Sequence, residues 1–291
     1  MLRRGRLAVL LPPYAWMMMF FALPIAVVGA ISLSDAVVGI PPYTPLVNWE
    51  GPAFLGDLEN YGFLLTDTYY LDGFIGSIRI AAIATLICLA IGYPMALAIA
   101  RARPSRRLPL LLLLMLPFWT SFLIRTYAWI TLLNSNGIIN NALLGAGLIE
   151  TPIPMLYTDF SVYIGIVYAY LPFMVLPIYA IIERQDLSLL EAAADLGARP
   201  LRSFLTITLP LSLPGIAAGS LLVFVPALGE FVIPELLGGS DFLMIGRLLW
   251  TETFQNRDWP LAATITIVLL AMVIVTVAAV QRVTDIRERA I

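Results

Sequence analysis

The run IAAIATLICLAIGYPMALAIA (residues 80–100) carries no charge, and Arg79 and Arg101 close it at its two ends. About 20 mainly apolar residues are what an α-helix needs to cross the hydrocarbon core of a bilayer. Lipid gives the main chain no hydrogen-bond partner, and the run shows no period-2 alternation, so a helix is the expected form. Working outward, six stretches meet the same test: 14–33, 74–100, 108–133 (interrupted only by Arg125), 162–182, 211–229 and 261–280. The whole chain agrees, being 60% apolar and 12% charged with a mean hydropathy of +0.90. Soluble domains run nearer 45–50% apolar and about a quarter charged. The expectation is an all-α polytopic membrane protein with about six transmembrane helices, forming one transmembrane domain over residues 1–291.

The arginines orient these spans. Arg3, Arg4 and Arg6 precede the first span, and Arg101, Arg103, Arg106 and Arg107 lie between the second and third. Arg184, Arg199 and Arg202 separate the fourth and fifth, and Arg282, Arg287 and Arg289 follow the sixth. In a six-span arrangement all of these fall on one side. Segments 35–73 and 134–161 contain no arginine, yet hold Asp35, Glu50, Asp57, Glu59, Asp67, Asp72, Glu150 and Asp159. Positive charge marks the cytoplasmic side, so both termini are expected there. The first apolar run is about 20 residues long and no clear Ala-x-Ala site follows it, so it is read as a span and not as a cleaved signal. The outer segment 35–73 is rich in Pro (Pro41, Pro42, Pro45, Pro52) and aromatics (Tyr43, Trp49, Tyr61, Tyr69, Tyr70), the kind of surface that lies at a membrane boundary or meets an external partner.

Absences narrow the chemistry. The chain has no His and no Lys, and Cys88 is its one cysteine. That removes histidine relays and histidine zinc sites, the P-loop, Schiff-base lysines, internal disulfides and thiolate metal clusters. No catalytic or metal site is expected, a net charge of −2 points to no nucleic-acid partner, and Cys88 reads as a small buried hydrophobe.

The cytoplasmic stretch ERQDLSLLEAAADLGARP (183–200), continuing to Leu209 and Pro210, is the most informative segment. Leu187, Leu190, Ala194 and Ala198 fall on one face at helical spacing, as do Leu201, Phe204 and Leu205 on a second helix. Gly197 can end the first helix in the left-handed conformation, and Pro200 can open the second. An alanine run beside a glycine makes a thin helix that another protein can approach closely; an interfacial hairpin on lipid headgroups is the plainer alternative.

Glu191-Ala192-Ala193, three residues, Gly197, nine residues, Ile207, one residue, Leu209-Pro210 matches EAA-x3-G-x9-I-x-LP at every defined position. This resembles the cytoplasmic signature of the membrane subunits of ABC-type importers. Leu58-Glu-Asn-Tyr61, Gly92-Tyr-Pro94, Phe231-Val-Ile-Pro-Glu-Leu-Leu-Gly-Gly239 and Asn256-Arg-Asp-Trp-Pro-Leu-Ala262 look like its spermidine/putrescine branch, and 228–234 looks closer to putrescine permeases. The resemblance implies a type I importer permease fold in a bacterial inner membrane. It implies that loop 183–210 is a coupling helix seated on an ATPase subunit, with Glu191, Ala192, Ala193, Gly197, Ile207, Leu209 and Pro210 as the coupling residues. It further implies two ATPase subunits that bind ATP and Mg, a second, different permease chain, a periplasmic substrate-binding protein, and no cofactor in this chain.

For the substrate pathway the expectations are Glu230 first, as a carboxylate able to compensate an ammonium group, then Glu235, with Trp119 and Tyr127 as cation–π surface. For Glu230 the structural alternative is an ion pair with Arg125 or Arg79. Rival functions are the same permease class for an amino acid, an opine or an iron complex, an ion-coupled secondary transporter, and a membrane-embedded enzyme. The last two suffer from the lack of acidic residues in spans one, four and six and of a converging carboxylate pair.

Overall fold

A computed structural model describes residues 2–48, 53–239 and 242–288, so Trp49, Glu50, Pro52 and Arg289 lie outside the described residues. Among the described residues the regular elements are helices, apart from a short antiparallel ribbon pairing Val47–Asn48 with Ala53–Phe54 and an isolated antiparallel bridge between Ala36 and Tyr43. In order, the helices are α1 (Val9–Ile31), α2 (Glu59–Thr66), α3 (Thr68–Arg101), α4 (Pro104–Trp119), α5 (Phe122–Leu133) and α6 (Ile138–Gly145). They continue as α7 (Asp159–Glu183), α8 (Ser188–Asp195), α9 (Pro200–Leu228), α10 (Val232–Leu237), α11 (Ile245–Trp250) and α12 (Trp259–Glu288). Five of them, α1, α3, α7, α9 and α12, are each long and apolar enough to cross a membrane.

Among the described residues a sixth crossing is available from the broken pair Pro104–Trp119 and Phe122–Gly145, which bends by 87°. The stretch 108–133 is therefore not one straight helix. Pro117 has no N–H to continue an α-helical ladder, and the backbone tightens to a 3-10 turn over Leu116–Trp119 before Thr120 turns extended. Ser121 then begins a new helix without a side-chain cap.

The residues form two compact units: Met1–Gly73 with Leu248–Ile274, and Phe74–Arg247 with Val275–Ile291. In the first, the end of α1, the outer segment and the start of α12 are tied by polar contacts. Ser32 Oγ and Tyr61 Oη lie 2.7 Å apart, Asn60 Nδ2 donates to Ser34 O at 2.9 Å, and Thr264 Oγ1 donates to Ser32 O at 3.2 Å. Over residues 9–21 of α1 the apolar side chains stand exposed, a surface suited to lipid or another chain.

In the second unit α7 and α9 make the most extensive helix pairing. Their approach depends on two glycines one turn apart. A Cβ on Gly215 would lie 2.9 Å from Pro177 O and 3.0 Å from Ile178 Cα, and one on Gly219 would lie 3.0 Å from Met174 O. Hydrocarbon tails give no hydrophobic drive between helices, so small residues that let backbones touch supply the packing. Around this seam Cys88, Tyr93, Ala96, Met174, Val175, Ile178, Ile182 and Val223 form the buried core, with α3 contributing the first three. Gly219→Leu is expected to destabilise the purified protein by about 1–3 kcal/mol through overpacking, read as a lower unfolding temperature in detergent. An unchanged temperature would show that the seam is looser than described.

Candidate functional site

The loop between α7 and α9 is built by short-range rules. Asp186 Oδ1 accepts the Ser188 N–H at 2.9 Å, and the Ser188 amide and hydroxyl together hold the Asp186 carboxyl below the usual aspartate range. After about two turns of α8, Gly197 adopts φ +78°. Ala198 N donates to Ala193 O at 2.9 Å and Gly197 N to Ala194 O at 2.8 Å, the paired bonds of a Schellman stop. Arg199 is extended, Pro200 opens α9, and a π-helical turn over Phe204–Thr208 leads into the long apolar part of that helix.

The signature residues divide into two groups. Glu191, Ala192 and Gly197 are exposed and Ala193 is partly so, whereas Ile207, Leu209 and Pro210 are half-buried at the base where α9 turns membrane-long. Between them the loop tip carries bare apolar side chains, with Leu196 89% and Leu201 70% exposed. No position around Gly197 is crowded, so its requirement for glycine comes from the left-handed backbone.

Contacts not anticipated from the sequence anchor this loop. The Phe204 ring meets the Tyr93 ring edge-on at 5.7 Å, and Tyr93 Oη lies 3.0 Å from Ser212 Oγ. Gln185 Nε2 donates to Thr208 O at 3.2 Å, and Arg107 Nη1 reaches Glu183 Oε1 at 3.0 Å. These contacts tie the start of α9 to α3 and to the residues after α7, and the end of α7 to α4. Tyr93 sits in the Gly92-Tyr-Pro94 segment already singled out, which was the available signal; its partner Phe204 lies over a hundred residues away.

At the opposite end of α9, Glu230 is 8% exposed. The Tyr170 hydroxyl donates a short hydrogen bond to its Oε2, while its Oε1 accepts the N–H groups of Val232 at 3.1 Å and Ile233 at 3.4 Å. The carboxylate thus caps α10 and ties it to α7. The alternative of an ion pair with arginine does not hold. Arg79 lies 3.9 Å from Asp159, and Arg125 lies over the Phe118 and Phe122 rings at 5.0 and 5.7 Å. Its Nε and Nη1 are buried without a hydrogen-bond partner among the described residues. Phe118 and Phe173 meet at 5.3 Å, and Phe173 and Tyr170 at 6.2 Å, so an aromatic array adjoins the Glu230 carboxylate.

The other pathway expectations fall elsewhere. Glu235 is in a 2.8 Å ion pair with Arg247, whose Nη1 also donates to Gly239 O, so it braces the segment after α10. Trp119 at the α4–α5 break and Tyr127 on α5 are exposed and are not among the hydrogen-bond partners of Glu230. A second buried carboxylate went unpredicted. Glu252, 4% exposed in a π-helical turn, accepts hydrogen bonds from Tyr70 Oη and Asn256 Nδ2, both at 2.8 Å. Hydropathy alone places it just ahead of span six and gives no sign that it is buried.

Comparison with known proteins bears on this arrangement. The sequence profile of the binding-protein-dependent transport system inner membrane component matches residues 92–289. The spermidine/putrescine transport system permease protein PotB of Escherichia coli (strain K12) is 46% identical over 222 residues, covering 75% of this chain and 80% of that protein. PotB of Haemophilus influenzae is 39% identical over 267 residues, covering 90% and 88%. The inner membrane ABC transporter permease protein YdcU of Escherichia coli is 30% identical over 294 residues, covering 96% and 89%. Among solved structures, a bacterial ABC transporter involved in the import of the acidic polysaccharide alginate superposes with a TM-score of 0.70 at 20% identity, over 97% of each chain. The profile covers most of the chain, and the relatives are transport permeases throughout. The chain therefore belongs to the binding-protein-dependent transport system inner membrane components, as a multi-pass permease subunit of an ABC importer that works with a substrate-binding protein and a separate ATPase.

Proposed function

We propose that this permease subunit carries a polyamine, putrescine or spermidine, across the inner membrane in an importer driven by ATP bound with Mg on its partner ATPases. The substrate class is supported by 39–46% identity to spermidine/putrescine permeases over most of the chain. The observation that carries the mechanism is the loop at Gly197: a two-helix tip with exposed apolar side chains, whose base contacts α3 through Phe204 and Tyr93 and the residues after α7 through Gln185. A subunit with no P-loop lysine cannot hydrolyse ATP itself, so energy has to enter through such a contact.

In this reading loop 183–210 and both termini face the cytoplasm, where the arginine clusters lie. Two ATPase subunits and a second, different permease chain complete the assembly with a periplasmic binding protein. Closing the ATPases around ATP pushes the loop tip, with Glu191 near a basic group or helix end of the ATPase. The spanning helices then shift between an inward-open and an outward-open packing. On the outer side the Glu230 carboxylate, beside Tyr170 and Phe173, offers a diammonium ion a negative charge and aromatic faces.

Glu230→Gln keeps one oxygen to accept the α10 amides and turns its NH2 toward the Tyr170 hydroxyl, which can accept, so it preserves the size of the side chain while removing the charge. Uptake of radiolabelled putrescine through the variant is expected to fall by about tenfold, the equivalent of about 1.4 kcal/mol. Uptake equal to that of the unaltered protein would remove Glu230 from the pathway. Gly197→Trp is expected to leave membrane insertion intact while abolishing transport and substrate-stimulated ATPase activity. Unimpaired uptake by that variant would sink the coupling assignment.

A further inference from the structure

The geometry points to an anionic phospholipid site in the groove between the end of α3 and the loop helices α8 and α9. The groove has a volume of about 360 Å³ and a mainly apolar lining that includes Leu97, Leu190, Ala198 and Phe204, joined by Ser203, Thr208 and Arg101. Among the described residues, no acidic side chain lines it.

Its depth in the membrane follows from α3. Residues 80–100 are free of charge, and at 1.5 Å per residue they span roughly 31 Å, the thickness of the hydrocarbon core. Arg101, one residue beyond, therefore sits at headgroup level, with Leu97 one turn deeper at the level of the acyl chains. Arg101 is exposed and makes no ion pair among the described residues, whereas Arg107 is engaged by Glu183. An apolar cleft entered at the headgroup plane past a free guanidinium fits a lipid with an acyl chain inside and its phosphate on Arg101. Basic pockets between helices on the cytoplasmic side recognise acidic headgroups in this way. Arg103 and Arg106 follow in sequence and add positive charge near the same plane.

The groove is also distinct from the surface assigned to the ATPase. The bare tip residues Leu196 and Leu201 do not line it, while Phe204 does, through the same ring that meets Tyr93. A lipid held there would brace the loop against α3, so coupling would respond to the anionic lipid content of the membrane.

The test uses the full chain purified in mild detergent and offered phosphatidylglycerol or phosphatidylcholine with identical acyl chains, with retained lipid counted by native mass spectrometry. Phosphatidylglycerol is expected to be retained over phosphatidylcholine by about fivefold. Arg101→Gln should erase that preference, and Ala198→Phe, which fills the groove, should reduce retention of both lipids. Equal retention of the two lipids, or a preference indifferent to Arg101→Gln, overturns the proposal. Displacement of the lipid by inorganic phosphate alone would do so too, since it would reduce the site to a phosphate contact. Loss of the co-purifying ATPase from Ala198→Phe with lipid retention unchanged would assign the groove to a protein contact instead. The readout is binding, so it stands or falls separately from the polyamine substrate.

Discussion

A bilayer core gives backbone N–H and C=O groups no partner outside the chain, and every long element here answers to that constraint. It forces helices, and it leaves helix association to shape. The α7–α9 seam meets the demand with Gly215 and Gly219, which bring backbone atoms of the two helices together along one face. Proline enters these helices repeatedly, at Pro172 and Pro177 of α7 and at Pro214 and Pro226 of α9. The N–H it removes and the curvature it adds are tolerable because a neighbouring helix lies against it. The seam also fixes where the ends of α7 and α9 emerge, and both candidate regions are built on those ends.

At one end the loop turns a packing arrangement into a mechanical connection. The Schellman stop at Gly197 makes α8 and the start of α9 a single angular unit, and the Phe204–Tyr93–Ser212 contacts weld that unit to α3. At the other end Glu230 joins α10 to α7 through Tyr170. Both ends therefore act on α7 and α9, which gives the proposed coupling a physical carrier: a packed helix pair with distinct groups at its two ends. The π-helical turn over Phe204–Thr208, next to the loop, is the irregular element nearest the place where a push would enter.

Much of this was readable from residue order because it depends on local rules. Runs such as 162–182 are helical by composition alone, and α7 contains that run. Gly197 and Pro200 act as a stop and a start through their own backbone preferences, which need no knowledge of neighbours. Contacts between distant positions were not readable. Tyr170 is one of several tyrosines in an apolar helix and nothing nearby in sequence points to Glu230, so arginine was the reasonable partner to expect. The bend at Pro117–Ser121 escaped because hydropathy is blind to direction: 108–133 is apolar whether straight or folded through 87°. Glu252 escaped for a related reason, since a carboxylate between spans is ordinarily solvated, and its burial depends on Tyr70 from a different part of the chain.

The central claim is that a permease chain with no lysine for a P-loop takes its energy through the loop tip. The direct measurement places a photo-reactive amino acid at position 196, in the complete transporter within membranes, and identifies what it captures. The account predicts a cross-link to the ATPase subunit whose yield changes when ATP binds, with none to the periplasmic binding protein. Capture of lipid alone, or of the binding protein, would contradict it and return the loop to the role of an interfacial hairpin.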